Sequence, residues 1–138
     1  KDIIVTSGGK NIAPQNFENA LKAQSRWVSQ VVMHGDKRPY CVALVSVDEE
    51  AVTAWAVSQG RDNPDYSELI GSSEVEALVW EDVNKLNKNR ASYEKVKKIA
   101  ILPYEISQES GELTPTLKVK RRMVEKKHEA LLNGLYKG

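Results

Sequence analysis

The chain has 138 residues, of which 41% are hydrophobic and 28% charged, and its formal net charge is +1. This length suits one domain with its own core, and the small net charge gives no mandate to bind nucleic acid. No apolar run approaches the roughly 20 residues of a membrane-spanning helix, and a single cysteine, Cys41, excludes an internal disulfide and predicts a reducing, cytoplasmic setting.

The opening segment predicts a strand, a glycine turn and a helix. Residues 3–5 are β-branched, which favours a strand. Ser7, Gly8 and Gly9 then either make a plain tight turn or let another molecule approach the backbone closely. Pro14 suits the first position of a helix, which we expect to run to about residue 24.

The middle of the chain predicts a strand pair followed by helices. Residues 27–34 and 40–47 are rich in strand formers and are separated by turn chemistry, which indicates an antiparallel hairpin. Asp48 is placed to cap the next helix. Residues 59–72 predict a loop with one helical turn.

A serine and a glutamate spaced as in a capping box, Ser73 and Glu76, begin a further predicted helix that ends near residue 89. Residues 96–102 predict a short strand, and residues 105–112 an exposed loop. Apolar residues from Val119 to Leu132 then fall on one side of a basic helix. The predicted fold class is α+β, with a small antiparallel β-sheet, packed helices and a β-hairpin-like glycine loop before them.

Two lysines follow turns and are the candidate anion-binding residues. Lys10 follows the glycine turn and Lys118 follows a Thr-Pro-Thr turn, so either ammonium can point to an anionic group, although plain solvation is the common alternative. A local positive field is expected at one end of the chain, where basic residues crowd together: Lys118, Lys120, Arg121, Arg122, Lys126 and Lys127. No phosphate-loop, dinucleotide, zinc or serine-elbow pattern occurs.

Two segments carry a resemblance to a known family. KDIIVTSGGKNIAPQNFE and GELTPTLKVKRR resemble the signature segments of the small C-terminal domain of adenylate-forming acyl-CoA synthetases, and the second resembles the long-chain fatty acid branch. The resemblance implies that residues 1–138 are this small domain, that the large N-terminal adenylation domain is absent, and that residues 59–91 are a branch-specific insertion. It further implies rotation between an acyl-adenylate-forming pose and a thioester-forming pose.

The resemblance assigns roles at the beginning of the chain. Lys1 matches the hinge residue about which the domain swings. Ser7, Gly8 and Gly9 match the loop that lines the pantetheine tunnel for CoA, where a side chain would fill the channel. Lys10 matches a polar or basic position and is a candidate phosphate contact.

The resemblance assigns the catalytic role to Lys118, which matches the lysine that reaches the carboxylate and the α-phosphate during adenylation. In most of the family a glycine precedes this lysine, whereas here Leu117 does. The implied reaction converts fatty acid, ATP and CoA to acyl-CoA, AMP and diphosphate, with ATP and Mg mainly bound by the absent domain. The chain itself is expected to hold no metal and to be inactive alone.

Two other functions stay open at this point. One is a free-standing phosphate- or RNA-binding α+β module with a basic C-terminal helix, although the basic segment lacks aromatic residues for base stacking. The other is a membrane-surface adaptor through residues 120–127, although that helix lacks a large aromatic face. For the full enzyme, the implied partners are its own N-terminal domain and its substrates, with no nucleic acid, and peripheral membrane association stays open.

Overall fold

A short β-hairpin opens the chain in the computed structural model, which describes residues 2–137. Strand β1 (Ile4–Val5) pairs antiparallel with β2 (Asn11–Ile12), with Ile4 opposite Ile12. The predicted β-hairpin-like glycine loop is therefore confirmed. The sequence does not indicate β2 itself, because a strand this short shows no alternating pattern. Lys1, the predicted hinge residue, lies outside the described residues.

The central sheet has the order β3-β4-β5 and is mixed. Strand β3 (Val28–His34) pairs antiparallel with β4 (Cys41–Val47), as expected, but β5 (Val96–Ile101) runs parallel to β4. The expectation of a wholly antiparallel sheet is wrong in this respect. A parallel neighbour requires a long crossover, and the helices between β4 and β5 provide it.

Strand β4 is buried along its whole length, so the sheet has a core on both faces. Cys41, Ala43 and Val45 belong to the core on one face, while Val42 and Leu44 belong to the core on the other. This alternation follows from the period of two in a strand. The sequence YCVALVSV is accordingly apolar almost throughout, as expected for a strand covered on both sides.

Four helices contribute buried side chains to the core that contains Cys41. They are α1 (Pro14–Gln24), α2 (Glu49–Ser58), α3 (Tyr66–Ile70) and α4 (Ser73–Asn87). Helix α1 has the predicted bounds, and α3 is the predicted helical turn. That residues 59–91 are a branch-specific insertion stays a prediction.

The caps of α2 and α4 show where local signals succeed and where they miss by one residue. Asp48 caps α2 as predicted, with its Oδ1 accepting from the backbone N–H of Ala51 at 2.9 Å. In α4 the cap is Ser72, whose Oγ accepts from Val75 N at 3.2 Å, and not Ser73. Ser73 is the first helical residue, so the predicted capping box is wrong: the residue three positions after the true cap is Val75 and not a glutamate.

The C-terminal helix is divided into α5 (Arg121–Lys127) and α6 (Glu129–Gly134) and covers the other face of the sheet. The expected single helix is interrupted at His128, which has φ −110° and ψ 27°. Backbone hydrogen bonds continue across the interruption, because His128 N donates to Val124 O at 3.0 Å and Leu132 N donates to His128 O at 2.9 Å. Within residues 2–137, the helices are all too short or too polar to cross a membrane.

Candidate functional site

The glycine loop (residues 6–10) is the turn of the first hairpin. Thr6 N donates to Lys10 O at 3.0 Å, Gly9 N donates to Thr6 O at 2.9 Å, and Lys10 N donates to the Thr6 hydroxyl at 3.1 Å. Gly9 has φ +84°. A left-handed residue after a turn is typical of short hairpin loops, so the backbone conformation itself favours glycine at this position.

Gly8 has no such requirement. Its φ is not in the left-handed region, and an added Cβ would meet no atom closer than the Thr6 hydroxyl at 3.9 Å. Among residues 2–137, neither conformation nor crowding demands glycine here. The fold of the described residues therefore does not require glycine at position 8, and the loop around it is exposed.

The turn between β3 and β4 holds the glycine loop in place. Ser7 N donates to Arg38 O at 2.9 Å, and Lys37 N donates to Val5 O at 2.8 Å. Val5 N in turn donates to the Asp36 carboxylate at 3.0 Å. These bonds link the first hairpin to the end of the central sheet, so the loop is fixed to the body of the domain.

The lysine loop (residues 113–119) is also a hairpin. Its ends are joined by a bridge between Leu113 and Val119. Thr114 N donates to Lys118 O at 2.7 Å, Leu117 N donates to Thr114 O at 2.8 Å, and Lys118 N donates to the Thr114 hydroxyl at 3.0 Å. Leu117 has φ +64° and is 60% exposed.

The two loops share one hydrogen-bonding pattern. In each, a threonine accepts twice, a left-handed residue follows the turn, and a lysine comes directly after it. The equivalent pairs are Thr6 and Thr114, Gly9 and Leu117, and Lys10 and Lys118. The sequence signal for this likeness is the spacing Thr-x-x-x-Lys in TSGGK and TPTLK. Leu117 occupies the position that favours glycine, which costs roughly 1–2 kcal/mol in a side-chain-bearing residue.

The lysines of the two loops have different neighbours. Lys118 and Leu117 line a cleft of about 340 Å³ beside α1, together with Asp2 and Arg121. Lys10 instead lies on the side of Tyr93, with its ammonium 5.4 Å from the ring centroid. Both lysines are exposed, and neither forms an ion pair within the part of the chain that the structure describes. No hydrogen bond among residues 2–137 joins the two loops.

An ion cluster around Arg121 adjoins the lysine loop. The guanidinium donates two parallel hydrogen bonds of 2.7 Å to Glu18 and one of 3.0 Å to Asp2. It also donates to Met33 O at 3.1 Å. Burial lowers the pKa of Arg121, but the hydrogen bonds and charges of Glu18 and Asp2 outweigh burial and raise it above its usual range.

A second cluster surrounds Glu112, which is fully buried. Its carboxylate accepts from the Tyr104 hydroxyl at 2.7 Å and lies 3.6 Å from His128 Nε2 and 3.8 Å from Lys127 Nζ. Burial, followed by the hydrogen bond and charge of Glu112, raises the pKa of Tyr104. The expectation that residues 105–112 are exposed is wrong at Glu112 and also at Ile106, which is 4% exposed.

These clusters reduce the predicted positive field at the end of the chain, in which Lys118, Lys120, Arg122 and Lys126 are still exposed. Arg121 is neutralised by Glu18 and Asp2, and Lys127 lies next to Glu112. Sequence reasoning missed both clusters, because their acidic partners lie in segments that give no local sign of burial. Within residues 2–137, no group of three or more His, Cys, Asp or Glu side chains is arranged to hold a metal ion.

Comparison with known proteins gives a consistent result over the whole chain. The model of the family described as AMP-binding enzyme C-terminal domain matches residues 1–138. The chain is 35% identical over 137 residues to a long-chain-fatty-acid–CoA ligase of Mycobacterium tuberculosis, covering 99% of this chain and 23% of the ligase. It is 32% identical to long-chain-fatty-acid–CoA ligase 1 of Cavia porcellus, covering 99% of this chain and 20% of the ligase.

Solved structures share the fold. The adenylation domain of a carboxylate reductase from Mycobacterium chelonae matches with a TM-score of 0.74 and 21% identity, over 97% of this chain and 19% of that one. A carboxylic acid reductase didomain from Segniliparus rugosus, in complex with AMP, matches with a TM-score of 0.75 and 22% identity, over 99% of this chain and 17% of that one. The chain spans less than a quarter of the length of the curated relatives above.

Proposed function

The chain belongs to the family of C-terminal domains of AMP-binding enzymes, and from this premise we propose that it is the mobile C-terminal domain of a long-chain fatty acyl-CoA synthetase. Identities of 35% and 32% to long-chain-fatty-acid–CoA ligases support this substrate class. In the proposed enzyme, a fatty acid reacts with ATP to form an acyl-adenylate and diphosphate, and CoA then displaces AMP to form the thioester.

Lys118 is proposed to serve the first half-reaction. The observation that carries this role is its position directly after the turn of a hydrogen-bonded hairpin, exposed and without an ion-pair partner in the described chain. An ammonium presented in this way can stabilise the negative charge that develops between the fatty acid carboxylate and the α-phosphate. A fixed positive group of this kind contributes on the order of 10² to 10³ in rate.

The glycine loop is proposed to serve the second half-reaction. Gly8 is exposed, and no described residue explains its missing side chain, which suits a close approach by the pantetheine arm of CoA. Ser7 and Gly9 complete the wall of this passage. Lys10 has the same loop position as Lys118, and its proposed role is to contact a phosphate of CoA or of the nucleotide.

The remaining parts of the reaction are assigned to the N-terminal adenylation domain. The fatty acid, the bulk of ATP and its magnesium ion are proposed to bind there, because the chain covers only 23% and 20% of the length of the ligases that it resembles. The chain alone is proposed to be inactive. Incubating the chain with ATP, fatty acid and CoA is expected to give no acyl-CoA, and measurable turnover would contradict this assignment.

The division of roles can be tested in the full-length enzyme by measuring the half-reactions separately. Lys118→Ala is expected to lower acyl-adenylate formation, followed as fatty-acid-dependent exchange of diphosphate into ATP, by about 10² to 10³. The same variant should still form thioester from preformed acyl-adenylate. Lys126→Ala, which removes an exposed lysine of α5, is the control and should leave both rates unchanged.

Gly8→Leu is expected to show the opposite behaviour. A side chain projecting from the loop should slow thioester formation from acyl-adenylate and leave adenylate formation near its original rate. The two-pose assignment would be refuted if Lys118→Ala and Gly8→Leu each impaired both half-reactions to the same extent.

A further inference from the structure

Arg121 connects distant parts of the chain at the foot of the lysine loop. It is the first residue of α5, separated from the lysine loop by Lys120, and its side chain is only 16% exposed. Its partners are Asp2, which precedes the first hairpin, Glu18 on α1 and Met33 on β3. One guanidinium therefore contacts the entry segment, the helix that follows the glycine loop, and the central sheet.

The contact between Arg121 and Glu18 is a two-bond ion pair that is largely buried. Both carboxylate oxygens of Glu18 accept from the guanidinium at 2.7 Å, in the planar two-bond arrangement that fixes orientation as well as distance. Glu18 is 9% exposed and also accepts from Met33 N at 2.7 Å, while Arg121 donates to Met33 O. The pair is thus anchored to the backbone of β3 and joins the foot of the loop to α1.

The position of Lys118 follows from this anchor. Between them lie Val119, bridged to Leu113, and Lys120, whose N–H donates to Glu112 O at 2.8 Å. Both arms of the hairpin are therefore held together between the tip and Arg121. Lys118 and Arg121 therefore lie on the same arm of a hydrogen-bonded hairpin, three residues apart.

Asp2 is a different kind of partner. It is 53% exposed, and a single hydrogen bond of 3.0 Å joins its carboxylate to Arg121 Nε. An exposed pair of this kind contributes little to stability. It is, however, a direct contact between the segment that enters the domain and the residue that anchors the lysine loop.

We propose that Arg121 is a positioning residue for Lys118 in adenylate formation. Through the Asp2–Arg121 pair, this positioning also depends on the path of the backbone that leads into β1. The inference rests on the proposed function of Lys118. It adds that the adenylation half-reaction depends on an ion cluster that contacts neither substrate, and that the thioester half-reaction does not depend on it.

The test uses the full-length enzyme with Arg121→Lys, which keeps the charge but removes the two-bond contact with Glu18. A displacement of a reacting group by about 1 Å can cost about 10² in rate, so diphosphate exchange is expected to fall by roughly 10- to 100-fold. The loss should appear in kcat, with KM for ATP nearly unchanged. Thioester formation from preformed acyl-adenylate should stay within about twofold. Arg122→Lys, at the exposed neighbouring position, is the matched control and should change neither rate.

Asp2→Asn provides a second variant that does not threaten folding, because its carboxylate is exposed. It is expected to lower adenylate formation by a few-fold and to spare thioester formation, and Asp2→Glu should restore most of the rate. Thermal unfolding midpoints of all variants show whether a lost rate reflects a lost fold. If Arg121→Lys unfolds the domain, the rates of Asp2→Asn decide whether the positioning role holds.

The outcomes separate this inference from the function on which it rests. If Lys118→Ala spares adenylate formation, the proposed function itself fails. If Lys118→Ala is selective but folded Arg121→Lys leaves adenylation unchanged, or lowers both half-reactions equally, only the positioning role is overturned. Selective loss in both variants supports both proposals.

Discussion

Replacing Gly8 and Gly9 by alanine, one at a time, is expected to separate a functional need for glycine from a conformational one. Gly9 has φ +84°, and an added Cβ would meet nothing within 4 Å, so the cost of Gly9→Ala is purely conformational. The left-handed backbone costs roughly 1–2 kcal/mol for a residue with a Cβ. Reduced freedom of the unfolded chain returns about 0.4–1 kcal/mol, which leaves a net loss of about 1 kcal/mol.

Gly8→Ala does not carry the cost of a left-handed backbone. Its backbone is not left-handed and the nearest atom is 3.9 Å away, so the free energy of unfolding should stay unchanged or rise by about 0.5 kcal/mol. Urea unfolding followed by tryptophan fluorescence measures both variants. With a slope of about 2 kcal/mol/M, Gly9→Ala should lower the midpoint by about 0.5 M and Gly8→Ala should not lower it.

For catalysis, the order of the two variants should be reversed, so that Gly8→Ala impairs thioester formation more than Gly9→Ala does. In the full-length enzyme, Gly8→Ala should slow thioester formation although it leaves the fold intact, because the methyl group enters the proposed pantetheine passage. A drop in unfolding midpoint for Gly8→Ala as large as that for Gly9→Ala would refute the reasoning. So would a Gly9→Ala variant as stable as the original chain.

Three further predictions concern stability. Gly35→Ala should lower the free energy of unfolding by roughly 1–3 kcal/mol, because its Cβ would lie 2.7 Å from Cys41 Sγ and 3.2 Å from Cys41 Cα. Gly60→Ala is the comparison, since Gly60 has φ +89° but open space around it, so this variant is strained without a clash. Equal stability of Gly35→Ala and the original chain would contradict the predicted overpacking. Burial raises the pKa of the Cys41 thiol from 9.0 to about 11. The folded state retains this proton to higher pH than the unfolded chain does. The contribution of the thiol to the free energy of unfolding should therefore be fully present below pH 9 and fall by about 2–3 kcal/mol between pH 9 and 11. Urea unfolding across this range should show a smaller fall for Cys41→Ala, and an identical fall would assign the effect to other groups. Ser72→Ala should cost about 1 kcal/mol through loss of the α4 cap, whereas Ser73→Ala should cost almost nothing, and a reversed order of unfolding midpoints would place the cap at Ser73.

The elements that could be predicted from the sequence are those with local signals. Pro14 begins α1 because its missing N–H would have no partner there, and the apolar spacing that follows ends near Gln24, as observed. Asp48 caps α2 through an N–H only three residues away. In both cases, the residues that determine the structure lie within one helical turn.

The features that could not be predicted depend on partners far along the chain. In the sequence, Arg121 is one of several cations in a basic run. Its partner Glu18 is 103 positions away, so no local pattern indicates the contact. Glu112 lies in a polar segment and is buried only because Tyr104, His128 and Lys127 surround it. The direction of β5 is likewise decided by tertiary pairing with β4, since a short apolar strand carries no sign of whether its neighbour is parallel.

The parallel pairing of β4 and β5 is accompanied by a helix about as long as β4. After β4, the chain must return along the full strand before β5 can start in the same direction, and β4 has 7 residues, or about 23 Å at 3.3 Å each. Helix α4 has 15 residues and spans about 22 Å at 1.5 Å each. At its end, the Asn87 amide bonds both the N–H and the C=O of Val96, the first residue of β5, at 3.0 and 2.8 Å. The end of helix α4 is therefore joined directly to the start of β5, and Asn87→Ala would leave both backbone groups of Val96 without these partners.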